Sequence, residues 1–191
     1  LMPSLAPSAL PTPSPTIVRD PDHEFDFRGC TTTSAWVFPS AQTSYYFATA
    51  TNFVFPSEWT IETWVKPYDV SSDKLWFSWA VSSTLNCILL RASTFSTANV
   101  WYYVVVTWDG SSMLVYVDGV ATTTGTFSSF CGSYTGSLVF GQDQDSLGGG
   151  FQSAQAPGME QDTVAIYSEA WSASAIQAAK ASVDALLAQV N

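Results

Sequence analysis

The stretch GQDQDSLGGGF, residues 141 to 151, sets two aspartates two positions apart and follows them with three glycines. Asp143 and Asp145 carry hard oxygen donors, and alternate residues of an irregular loop can aim such donors at one point. Gly148, Gly149 and Gly150 let the backbone fold tightly beside them. Cation binding is the chemistry on offer. The alternative is a structural turn whose Asp and Gln side chains cap backbone amides. The apolar runs SLVF and VAIY bracket the stretch, so it reads as a loop between two strands.

A second pair of carboxylates lies in EWTIE, Glu58 and Glu62, with Thr60 in the middle slot. Retaining glycoside hydrolysis needs carboxyl groups about 5 Å apart. Four residues of flat strand separate this pair by about 13 Å, so both glutamates are expected to face solvent. His23, the one histidine, lies in DPDHEFDF. With Asp20, Asp22 and Asp26 it could bind a metal, but the segment reads first as a solvated acidic lead-in. No GxSxG elbow is present, and the GGG run has no lysine and opens no helix. These features predict a protein that is not an enzyme.

The net charge of -10 disfavours nucleic acid and anionic membranes, because phosphate binding needs clustered Lys and Arg. The six basic residues, Arg19, Arg28, Lys66, Lys74, Arg91 and Lys180, are scattered. No apolar run reaches the roughly 20 residues of a membrane helix. Only 12% of the 191 residues are charged, while 47% are hydrophobic. So little charge, about half the usual share, suits a surface coated by glycans or covered by neighbours.

Residues 1–16, LMPSLAPSALPTPSPT, contain Pro3, Pro7, Pro11, Pro13 and Pro15. They favour an extended polyproline-type tail, lying on a neighbouring subunit, on its own domain, or under sugars at Ser4, Ser8, Thr12, Ser14 and Thr16. The Ser-Pro and Thr-Pro steps are similar in composition to those of hydroxyproline-rich wall proteins. No N-linked sequon occurs. LMPSLAPSAL has no charged leader and reads as the start of a processed or truncated chain rather than a signal peptide. The spacing of Cys30, Cys87 and Cys131 matches no metal motif. One disulfide with one odd thiol, Cys87–Cys131 being the first pair to test, stands beside three buried reduced thiols.

The elements that must position these groups are strands. Runs rich in Val, Ile, Tyr, Phe, Trp and Thr predict strands at 43–48, 60–66, 75–80, 86–91, 100–107, 113–118, 120–124, 137–141 and 162–167. WYYVVVTW, 101 to 108, is nearly all apolar and predicts a central strand. Asp109-Gly110 and Asp118-Gly119 predict hairpin turns. Many short strands without intervening helices imply an all-β antiparallel sandwich or barrel over 17–171. A C-terminal amphipathic helix follows at 172–191. Ser172 or Ser174 caps it, and Ile176, Ala179, Val183, Leu186, Leu187 and Val190 form its apolar stripe. The stripe is expected on the chain's own sheet, with a partner's groove as the alternative.

Four stretches occur in the order found in the laminin-G-like and pentraxin-like branch of the concanavalin-type sandwiches. They are WTIETWVKP at 59–67, VWYYVVVTWDGSSMLVYVDGV at 100–120, GSLVFGQDQDSLGGGFQSAQA at 136–156, and DTVAIYSEAWSASAIQA at 162–178. The third resembles the calcium loop of pentraxins. The likeness covers most of residues 40–180 and implies a jelly-roll of two antiparallel sheets that binds rather than catalyses. It also implies calcium ligands at Asp143, the Gln144 carbonyl, Asp145 and Asn86, with Gln152 and Gln155 at the remaining ligand positions. Two family carboxylates are replaced, by Gln152 and Leu85, and fewer charges mean weaker calcium binding. The family disulfide is also missing, its positions falling approximately at Glu62 and Val105.

The expected role is that of a structural subunit in an extracellular or cell-surface assembly, such as a fibril, joined through the tail to copies of itself or to another extracellular protein. The alternative is a calcium-assisted glycan-binding lectin domain. A hydrolase of the same fold ranks third.

Overall fold

In a computed structural model of the chain, the described residues are 23–25, 36–38, 47–48, 53–54, 56–70, 75–82, 85–91, 95–122, 135–140 and 158–190. They form twelve strands and one helix. The strands are β1 (His23–Phe25), β2 (Trp36–Phe38), β3 (Phe47–Ala48), β4 (Phe53–Val54), β5 (Trp59–Pro67), β6 (Leu75–Ser82), β7 (Leu85–Arg91), β8 (Tyr102–Trp108), β9 (Met113–Val117), β10 (Val120–Thr122), β11 (Thr135–Phe140) and β12 (Met159–Tyr167). Helix α1 spans Ala173–Val190. Residues 1–16, Cys30 and Cys131 lie outside the described residues.

The strands make two antiparallel sheets, a concanavalin-like jelly-roll. The first runs β1-β12-β5-β8-β9-β10, with β2 also on β12. The second runs β3-β11-β6-β7, with β4 also on β11. The outer flank of β12 is covered in two pieces: His23–Phe25 pairs with 164–166, and Trp36–Phe38 pairs with 159–161. Between them β12 shifts register at Asp162/Val164. Thr63 Oγ1 donates to the Asp162 carbonyl there, at 3.0 Å, and stitches the bulge to β5.

β8 is central, as its apolar run predicts. Alternate residues of a strand face opposite ways, yet Tyr102 through Thr107 are all buried. Both faces of the first sheet must therefore be covered. On the face toward the second sheet, Trp59, Ile61, Val65, Val104, Val106, Val115, Val164 and Ile166 are each at most 1% exposed. On the other face, Tyr103, Val105, Tyr116, Ala165 and Tyr167 form one cluster with Trp171 and Ile176 of the C-terminal segment, and Ala175 and Ala179 of α1 pack against it. Ile176 and Ala179 of the predicted stripe thus lie on the chain's own sheet.

Local chemistry fixes the helix there. Ser172 is the cap: its Oγ accepts from the Ala175 N–H, and its carbonyl accepts from the Ile176 N–H. Thr60 Oγ1 accepts from the Trp171 N–H at 2.9 Å and donates to the Glu169 carbonyl at 2.8 Å, tying the lead-in to β5. The β9–β10 turn is a two-residue type with Asp118 and Gly119 both at positive φ, 51° and 78°. Gly119 faces the helix, since an added Cβ would lie 3.7 Å from Gln177 Cγ.

The other predicted hairpin is longer than a two-residue turn. Trp108 opposes Met113, so four residues, 109–112, connect β8 and β9. Asp109 Oδ1 organises them by accepting from the Ser111 and Ser112 N–H groups and the Ser111 hydroxyl. His23 belongs to an edge strand, its backbone paired with Ile166.

Ile176 is fully buried, and truncating such a side chain removes its transfer energy and leaves a cavity. Ile176→Ala is expected to lower stability by about 2–5 kcal/mol in urea unfolding; a loss below about 1 kcal/mol would mean the helix contributes little to covering the sheet.

Candidate functional site

Glu62 stands in the centre of β5, opposite Val105 of β8 and Ala165 of β12. The expectation that it faces solvent is overturned. Its two carboxylate oxygens accept from the phenols of Tyr103, at 2.6 Å, and Tyr167, at 2.5 Å. Burial, then the Glu62 charge, pushes the Tyr103 phenol far above its usual range, so it stays a donor. Glu58 is exposed and precedes the strand. One member of the pair is held by two phenols and the other lies in a turn, so they do not form an acid/base couple.

Glu62 and Val105 are also direct partners in the β5–β8 register. These are the approximate positions at which the pentraxin resemblance implies a disulfide. The two strands are joined at this level instead by the Glu62–Tyr103 hydrogen bond.

Of the residues expected to hold calcium, Asp143, Gln144, Asp145, Gln152 and Gln155 fall in 141–157, outside the described residues. The strands around that segment are described. It leaves β11 at Phe140 in the second sheet and reaches Gly158 just before β12 in the first. Asn86 lies in β7 opposite Ala80, which in turn opposes Ser137. Asn86 is thus level with Ser137, three residues or about 10 Å of strand before Phe140. Cys87 falls at a register shift, between the pairs Ala80↔Asn86 and Trp79↔Ile88. Among the described residues no three His, Cys, Asp or Glu side chains gather to hold a metal ion.

Gly158 ends that segment at a polar and aromatic cluster. Its carbonyl accepts from the Tyr68 N–H at 2.7 Å. The Tyr68 hydroxyl donates to Glu160 Oε1 at 2.7 Å, and Lys66 Nζ meets the same oxygen at 2.8 Å. Both contacts hold the Glu160 carboxyl below its ordinary pKa. Desolvation first, then the bond and charge of Glu160, push the Tyr68 phenol up to about 12. Beside it, the Asn99 N–H donates to the Pro67 carbonyl at 2.6 Å, with Asn99 left-handed at φ 62°. Tyr102 clamps the preceding loop, its hydroxyl exchanging bonds with the Thr97 N–H and carbonyl.

Sequence reasoning passed over this cluster. It placed Trp101 inside a strand as core, whereas Trp101 precedes β8 and is 37% exposed. Tyr68 is 38% exposed. The one signal that could have found it is Asn99, a residue tolerant of left-handed backbone, set just before an apolar strand.

A family model described as the concanavalin A-like lectin/glucanases superfamily, of laminin G type, matches residues 16–177. No curated protein matches the sequence. Among solved structures, the chain is similar to the native heptameric SAP-like pentraxin from Limulus polyphemus, at 22% identity and a TM-score of 0.57, covering 74% of this chain and 78% of that one. It is also similar to the receptor-binding domain of botulinum neurotoxin type G, at 10% identity and a TM-score of 0.51. That match covers 86% of this chain and 52% of the toxin domain.

Glu160 stabilises the cluster as a carboxylate, so its contribution is complete above the ordinary value of about 4.5 and fades as pH falls through its lowered folded pKa. Tyr68 stabilises it as a neutral phenol, so that part is complete below 10 and fades as pH rises toward about 12. The stability difference between the wild type and Glu160→Gln is therefore expected to be flat between these limits and to shrink beyond both. Denaturation midpoints across pH measure it.

Proposed function

The chain belongs to the concanavalin A-like lectin/glucanase superfamily, and from that membership we propose that it is a non-catalytic extracellular module that binds glycans. The observation that carries the reading is Glu62. Its two oxygens are engaged by Tyr103 and Tyr167, which belong to one buried cluster with Trp171 and Ile176. A hydrolase needs two carboxyls facing one bond, one of them tuned as an acid. Glu58 and Glu62 do not supply that spacing, and both Glu62 oxygens are already engaged.

In this reading the loop 141–157 is the first contact for sugar. Asp143 and Asp145, with the Gln144 carbonyl and Asn86, would hold a calcium ion of reduced charge complement, and Gln152 and Gln155 would complete the ring as neutral oxygens. A bound ion would fix the loop's shape between the two sheets.

A second reading, a structural subunit of an extracellular assembly, has its own support. Val120 is 69% exposed and Leu114 45% exposed on the β9–β10 border of the first sheet, where apolar groups on outer strands favour association. The similar Limulus protein is a heptamer. The Pro-rich segment with Ser4, Ser8, Thr12, Ser14 and Thr16 would supply a tether or a glycosylated coat.

Glycan-array retention with and without calcium tests the first reading, paired with a reducing-sugar assay on the retained polysaccharides. Retention without release of sugar is expected, and Glu62→Gln should retain glycan while lowering thermal stability. Loss of retention in Asp143→Ala plus Asp145→Ala would place contact at the loop. Hydrolysis by the wild type, abolished in Glu62→Gln, would overturn the reading. A concentration-dependent particle size with no glycan bound would favour assembly.

A further inference from the structure

Resting on the glycan-binding reading, we propose a sugar subsite on the helix-bearing sheet, formed by Trp101, Tyr68, Lys66 and Glu160 beside the exit of the 141–157 loop. It takes one residue of a neutral glycan chain.

Three properties point to that ligand. The first is shape. Trp101 and Tyr68 are each more than one-third exposed. They sit on neighbouring chain segments, since Val65 pairs with Tyr102 and the Asn99 N–H reaches the Pro67 carbonyl. An exposed indole offers a flat apolar surface with one N–H at its edge, which matches a pyranose ring with C–H groups on its face and hydroxyls on its rim.

The second is open hydrogen-bonding capacity. Glu160 uses Oε1 for both Lys66 and Tyr68. Among the described residues no hydrogen bond occupies its Oε2 or the other two Lys66 ammonium donors. A sugar hydroxyl, donor and acceptor at once, can meet both. The two side chains are only 27% and 23% exposed, so their geometry is set before a ligand arrives.

The third is charge and size. The Lys66–Glu160 pair is neutral as a unit, and the chain carries a net charge of -10, so anionic sugars and nucleotides gain nothing there. Four side chains are far fewer than the roughly 20–30 residues a side of a stable protein interface. A small polyhydroxylated ligand fits both facts.

The test is isothermal titration of the full chain with cellohexaose, laminarihexaose, xylohexaose and mannohexaose, each with and without calcium. Trp101→Ala is expected to weaken binding about tenfold or more, with the melting temperature unchanged because the side chain is partly exposed. Tyr68→Phe keeps the ring and loses the bond to Glu160, and is expected to weaken binding less. Full affinity in Trp101→Ala, together with loss in Asp143→Ala plus Asp145→Ala, would overturn the subsite and leave the glycan reading standing. No binding of any oligosaccharide by the wild type would overturn both.

Discussion

β8 has nearly every side chain out of water, and that constraint governs the domain. An antiparallel sheet usually keeps one face wet. Here Tyr102, Val104 and Val106 face the second sheet while Tyr103 and Val105 face away, and all five are buried. The second sheet answers one side. The C-terminal segment, from Trp171 through Ile176 and Ala179, answers the other. The helix is therefore a cover for the sheet that the rest of the fold leaves bare. The Ser172 cap and the Thr60 bonds to Trp171 and Glu169 set where it begins.

Under that cover lies a polar node. Burying a carboxylate is unfavourable unless its oxygens are met by donors, and Glu62 is met twice. The phenols come from the strands on either side, so the node bridges β8, β5 and β12. It joins β5 to β8 two residues from the Val105 position that a cross-strand disulfide would use in a pentraxin-like frame, without requiring an oxidising environment. The same arrangement leaves both Glu62 oxygens already engaged by phenols.

The long strands were legible because burial writes a pattern. β5 alternates along its length, and β8 and β12 carry dense apolar runs. The helix was legible through its 3.6-residue stripe. Of the strands of two or three residues, β3 and β10 fall within predicted runs, while β1, β2 and β4 were missed, because so few residues hold no period and their positions are set by partners far along the chain. Glu62 was misread for a related reason: its partners stand 41 and 105 residues away. Trp101 was misread because residue type signals apolar surface but not which side of a sheet's end it occupies. The cluster at Lys66, Tyr68 and Glu160 draws on two strands about ninety residues apart, and no local window contains it.

The divided flank of β12 bears on how the chain is made. His23–Phe25 and Trp36–Phe38 leave the ribosome well before their pairing partner, Met159–Tyr167, is made. Closing a loop of that span is slow, so the two earlier pieces must wait unpaired until β12 is made. Breaking the waiting border into two three-residue lengths gives stray strands too short a template for lasting attachment. Short lengths thus protect the nascent chain through that wait.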